Sequence, residues 1–242
     1  MKFRILSEGL SNFNDELRQD AVEFFKKEWA ECKRKRKAGD FFMEKHYIDK
    51  KTGKKVIFLL SINAYRLGEN KTSNCESRAK KTKKGVVLAT RININLSRTL
   101  DIVDFHELMG TLEHELTHTS QEINNMIEYY LDKEEKHGIT RRMYSATHST
   151  FPYEKEAALV NLFYLIKNTN SKRAAEFFEE YIEYWMNIGY GYKTFLKKAA
   201  DYGLTNKEIV RFRNAVKRMP AWFQKTKTDF LGIRYPLKKN KF

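Results

Sequence analysis

Between Asn14 and Lys37 the apolar residues Leu17, Ala21, Phe24, Phe25, Trp29 and Cys32 return at intervals of three and four. That period predicts an amphipathic helix, with Asn14 placed to cap its first turn. The pattern then changes. Phe41 to Asp49 and Lys55 to Tyr65 are rich in β-branched and aromatic residues and are separated by the polar stretch Lys51-Thr52-Gly53-Lys54, which reads as a hairpin. Val86 to Leu96 is a further strand, in which Arg91, Asn93 and Asn95 alternate with Ile92, Ile94 and Leu96 to give one polar and one apolar face. Residues 67 to 84 are polar and strongly basic, and are expected to form an exposed loop.

Beyond residue 100 the helical period dominates. A long helix is expected from about Asp104 to Leu131, with Gly138 marking the chain's departure from it. Pro152 suits the first position of another. Ser171 is placed to cap a third, carrying Ala174, Phe177, Phe178, Tyr181, Ile182 and Trp185. Thr205 and Glu208 form a capping box ahead of Ile209, Phe212, Val216 and Met219, and Pro220 ends that helix. This order predicts an α+β fold. An N-terminal helix and a small mixed or antiparallel sheet of about three to four strands occupy residues 1–100, and a helical half follows over 101–242, all within one domain.

Composition narrows the possible functions. The chain has 242 residues, 41% hydrophobic and 14% aromatic, the balance of a folded globular protein. Its longest apolar run, Val56 to Leu60, is far short of the roughly 20 residues that cross a bilayer, so no membrane role is expected. The N-terminus has no apolar h-region, which makes the cytoplasm the expected compartment. Cys32 and Cys75 are too few for a disulfide framework and too far apart for a zinc knuckle; reduced thiols are expected. The net charge of +15 divides unevenly, as +5 over residues 1–60, +7 over 61–100, −6 over 101–170 and +9 over 171–242. A chain this basic attracts polyanions, and nucleic acid or an acidic protein surface is an expected partner through runs such as Lys33 to Lys37, 80–84 and 238–241.

The acidic segment contains the chemistry. His114-Glu115-Leu116-Thr117-His118 is an HExxH sequence, which random order would produce in roughly one such chain in a hundred. On a helix the two histidines lie one turn apart on the same face, so both imidazoles can reach one zinc ion. Glu115 projects beside that face, where it can take a proton from an activated water without becoming a ligand. The apolar stripe Leu108, Leu112, Leu116, Ile123 and Ile127 is rotated away from the histidines, so the helix can bury one side and present the other. Gly110 leaves room beside it.

A third ligand should lie downstream. Gln121 and Asn124 replace the glycine and histidine of the metzincin pattern, which leaves a carboxylate. Glu154 and Glu156 open the helix that begins at Pro152. Steps of three and four from Glu156 reach Leu159, Val160 and Phe163, whereas those from Glu154 reach the less apolar Ala157, Ala158 and Asn161. Because a carboxylate on a buried stripe must be paired or bound to metal, Glu156 is the better candidate, with Glu154 the alternative. Tyr144 or His148 is a candidate oxyanion stabiliser, and Glu122 a candidate partner for His118. His106 reads as an exposed first-turn residue.

With HELTH followed by an E-x-E-A helix, the chain resembles a gluzincin-type zinc metallopeptidase and is similar to small zincin domains encoded by phages and mobile elements. The resemblance covers residues 86 to 165. It implies a zincin-like fold with Zn2+ held by His114, His118 and Glu156, and Glu115 as general base. It also implies that Val86 to Leu96 is an edge strand against which a peptide or protein substrate lies, with the host cytoplasm or a virion as setting. The competing expectation is a basic nucleic-acid-binding or scaffold protein in which HExxH is structural or degenerate.

Overall fold

The structure, a computed structural model, describes residues 13–48, 53–68, 73–82, 85–97, 100–123, 152–170, 172–179, 191–219 and 231. It is a mixed α+β fold. Helix α1 (Phe13–Lys35) is followed by strands β1 (Gly39–Ile48), β2 (Lys55–Tyr65), β3 (Asn74–Thr82) and β4 (Gly85–Asn95), and then by helices α2 (Ile102–Ile123) and α3 (Pro152–Asn168). A helical stretch α4 (172–179), α5 (Tyr192–Asp201) and α6 (Asn206–Lys217) complete the described elements. The chain divides into two compact units, Met1–Asn161 and Leu162–Phe242, and the division falls within α3. No described helix is long and apolar enough to cross a membrane.

In the first unit the sheet order is β1-β2-β4-β3. β1 and β2 form the expected antiparallel hairpin, β2 and β4 are parallel, and β3 pairs antiparallel to β4. Two expectations are corrected here. Residues 74–82, read as part of an exposed loop, form strand β3; backbone pairing to the apolar β4 makes a strand of a sequence too polar to announce one. As a result β4 is an inner strand and β3 takes the edge that had been assigned to Val86–Leu96.

Even-numbered positions of β2 and β4 face the core: Phe58, Leu60, Ile62, Ile92 and Ile94 are at most 1% exposed. Each such side chain contributes about 1.5–3 kcal/mol relative to leaving it in water. Helix α1 packs against β1 and β2, and α2 against β3 and β4, burying Leu17, Ala21 and Phe25 from the first and Leu108, Leu112 and Leu116 from the second. The two helices meet where Phe105 stacks on Phe25 and packs against Trp29, with ring centroids 5.4 and 5.7 Å apart. Helix α1 already includes Phe13, so Asn14 lies inside its first turn rather than at the cap. It stops at Arg36, whose φ of 51° turns the chain left-handed while its N–H still reaches Cys32 O.

Asn95, read as part of the polar face of its strand, is wholly buried. Its Oδ1 accepts from the N–H groups of Leu67 and Ser97, and its Nδ2 donates to Gly68 O. These bonds tie the exit of β2 to the end of β4, and so help set the parallel register.

The second unit has an aromatic core in which Phe195 packs against Phe163 and Phe212, and Phe212 meets Phe178 edge-on. The Thr205 capping box forms as expected, with Thr205 Oγ1 accepting from Glu208 N–H and Glu208 Oε2 from Thr205 N–H. Ahead of α4, Asn170 Oδ1 accepts the Arg173 N–H, an N-cap bond. Gly138, Ser171, Tyr181, Ile182, Trp185 and Pro220 lie outside the described residues.

Candidate metal centre

Helix α2 is fixed on two sides. Leu112 and Leu116 face the sheet, and Glu113, 3% exposed, turns toward α1, where Arg18 Nε lies 2.8 and 2.6 Å from its two carboxylate oxygens. A buried carboxylate is costly unless paired, so this contact holds α2 in one rotation about its axis. That rotation leaves His114 and His118 at the remaining side, half-buried, with side chains 19% and 15% exposed. Thr117 Oγ1 donates back to Glu113 O within the same turns.

The two imidazoles converge, with Nε2 of His114 and Nε2 of His118 3.0 Å apart. Glu154, on the first turn of α3, brings Oε2 to 3.3 Å from His114 Nε2 and 3.2 Å from His118 Nε2. His114, His118 and Glu154 therefore form a triad that can hold a metal ion. A tetrahedral zinc ion with bonds of roughly 2.0–2.1 Å has its donors about 3.3 Å apart, so two imidazole nitrogens and one carboxylate oxygen at these separations fit it.

Gln121 supplies a residue that the sequence reading overlooked. It is 3% exposed, and its Oε1 lies 2.7 Å from His118 Nδ1. An amide oxygen only accepts, so Nδ1 carries the hydrogen and Nε2 of the neutral ring turns a lone pair toward Glu154 and His114. Position 121 had entered only as a departure from the metzincin pattern; its spacing of three residues after His118 on one helix face was the available signal. Gln121→Ala is expected to weaken metal affinity about 10- to 100-fold with the fold retained, as measured by competition with a chromogenic chelator.

Burial opposes the charged form of His118, but hydrogen bonding to Glu154, the field of Glu154 and Glu115, and the Gln121 bond together hold its pKa above the ordinary imidazole value. The same negative surroundings favour a divalent cation between these groups. Glu115 stands outside the triad, near enough to act electrostatically on His118 and on Cys75 of β3. Burial, followed by the Glu115 and Glu76 carboxylates, pushes the Cys75 thiol well up, so Cys75 stays protonated beside the site.

Of the two candidate glutamates, the structure brings Glu154, the alternative, to the two histidines, and Glu156 is not in the triad. Along α3 the stripe Glu154, Ala157, Ala158 and Asn161 is buried at every position, whereas Glu156 and Val160 are only half-buried. The more apolar stripe is not the more buried one. His106 is half-buried rather than exposed, packs edge-on against Phe105, and stands apart from the triad; burial lowers its pKa. Tyr144 and His148 lie outside the described residues, as does the side chain of Glu122.

No protein-family model matches the chain, and neither curated proteins nor solved structures give a match.

Proposed function

We propose that this chain is a zinc-dependent metallopeptidase of the gluzincin kind, with His114, His118 and Glu154 holding the metal and Glu115 as general base. The observation that carries the reading is the convergence of His114 Nε2, His118 Nε2 and Glu154 Oε2 to within 3.3 Å on the HExxH face of α2. A bound zinc ion supplies Lewis acidity, lowering the pKa of water toward about 7 and polarising a carbonyl. Glu115, adjacent to the triad and outside it, takes a proton from the attacking water and returns it to the leaving amine. Gln121 fixes the ring of His118, and the Arg18–Glu113 pair fixes the helix that carries all of these groups.

A peptide as substrate is supported by β3. It is an edge strand, it packs against α2, and its Cys75 end is within electrostatic reach of Glu115. An extended peptide pairing with that edge would run past the general base. Glu115 and Cys75 both belong to the first unit, so these groups need nothing from the second.

Elemental analysis of the purified protein tests the reading. One zinc per chain is expected, together with hydrolysis of a mixed peptide library that is abolished by a chelator and restored by zinc. A metal-free protein with unaltered thermal stability in the presence and absence of zinc would count against it.

A further inference from the structure

Because β2 and β4 run parallel, both begin at one end of the sheet. Val56 pairs with Val86, and Gly85, at φ 142°, sits where a Cβ would overlap Lys55 O. Only glycine permits that approach. The antiparallel neighbours finish at the same end, β1 with Ile48 opposite Lys55 and β3 with Thr82 opposite Gly85. Two basic segments far apart in sequence are thereby made neighbours.

The positions gathered there are Lys54 and Lys55 entering β2, and Arg78, Lys80 and Lys81 on β3. Across the last rows of the four strands, residues 46–48, 55–57, 80–82 and 85–87, the sequence holds no Asp or Glu, and Glu44, in the row of Arg78, lies 2.7 Å from His46 Nε2. From the helix-covered side, Asp20 reaches this end but is engaged there, accepting from Tyr47 OH and lying 3.5 Å from Lys45 Nζ.

We propose that this end of the sheet is a docking site for the phosphate backbone of duplex nucleic acid, without base recognition. Charge density selects the partner. Four strands at about 4.8 Å spacing span about 14 Å. A duplex carries one negative charge per roughly 1.7 Å of axis, hence about eight over that distance, of which about half turn to one side. An extended acidic peptide turns alternate side chains to one face and presents only about two. Lysine outnumbers arginine here, which suits point-charge contact with phosphates rather than bidentate reading of bases. Cys75, at the far end of β3, is the part of that strand near Glu115, and Lys81 lies six residues away, about 20 Å along the strand. A duplex held at the lysine end leaves the metal centre accessible. On the peptidase reading this directs hydrolysis to proteins carried on nucleic acid, but the docking itself does not depend on that reading.

The test uses the full chain carrying Glu115→Gln and a fluorescein-labelled 20-base-pair duplex of mixed sequence, with anisotropy titrations between 50 and 200 mM salt. Reversing Lys54, Lys55, Lys80 and Lys81 to Glu is expected to weaken binding at least tenfold at the lower salt and to reduce the log–log salt slope by about three to four. The single changes Lys55→Gln and Lys80→Gln, which spare the fold should the quadruple variant fail to assemble, should each reduce the slope by about one. Neutralising Lys33, Arg34 and Lys35 should change affinity less than threefold. Binding should persist after His114→Ala, so loss of the metal centre and loss of docking are read separately. Unchanged duplex affinity in the Lys55 and Lys80 variants would overturn the proposal, as would tighter binding to polyglutamate or to phosphatidylserine vesicles than to the duplex.

Discussion

Glu115→Gln is expected to leave one zinc per chain and to lower peptide hydrolysis by about 10²- to 10⁴-fold, the contribution of a positioned general base. Glutamine keeps the size and most of the polarity of the side chain and loses only its capacity to take a proton. The three atoms that converge in the structure belong to His114, His118 and Glu154, so this change removes no donor from the triad. Metal content measured beside kcat/KM separates the two roles. A parallel loss of zinc and activity would make Glu115 a ligand, and full activity with full zinc would remove it from the chemistry altogether.

Replacing Glu154 by Gln is expected to weaken zinc binding by more than about 100-fold, beyond the upper range for losing a group that merely orients a ligand. Glu156→Gln, two residues away on the same helix, should leave zinc affinity within about threefold of the parent. The contrast rests on distance: Glu154 Oε2 lies 3.2 and 3.3 Å from the two imidazoles, and Glu156 is absent from the triad. Without the carboxylate, two neutral imidazoles supply no negative charge, and the remaining pair is a poor site for a divalent cation. Competition titrations with a chelator of known affinity read both variants. Equal affinities in the two would return the third-ligand question to where the sequence left it.

Much of this architecture is legible in the order of residues because it depends on neighbours three or four positions apart. The α1 stripe, the β1–β2 hairpin, the Pro152 start of α3 and the Thr205 capping box are all local patterns, and each forms where its pattern lies. The pairing of His114 with His118 is of the same kind. By contrast, β3 was illegible because Asn74 to Thr82 has little strand propensity of its own; what makes it a strand is the unpaired edge of β4, supplied from elsewhere in the fold. Gln121 was passed over for a related reason. Its amide gains a role only when the ring of His118 is held beside it with Nδ1 toward the amide.

The sequence by itself determined a helix with two imidazoles and a carboxylate on defined faces, since helical geometry places residues i and i+4 together whatever surrounds them. Tertiary structure alone decided which glutamate completes the triad. That choice turns on which side of α3 is buried, the side of Glu154, Ala157, Ala158 and Asn161, and not on the hydrophobicity of the alternative stripe. It also decided that lysines some 25 residues apart share one end of a sheet, because parallel pairing of two strands is a long-range contact that no short window of sequence records.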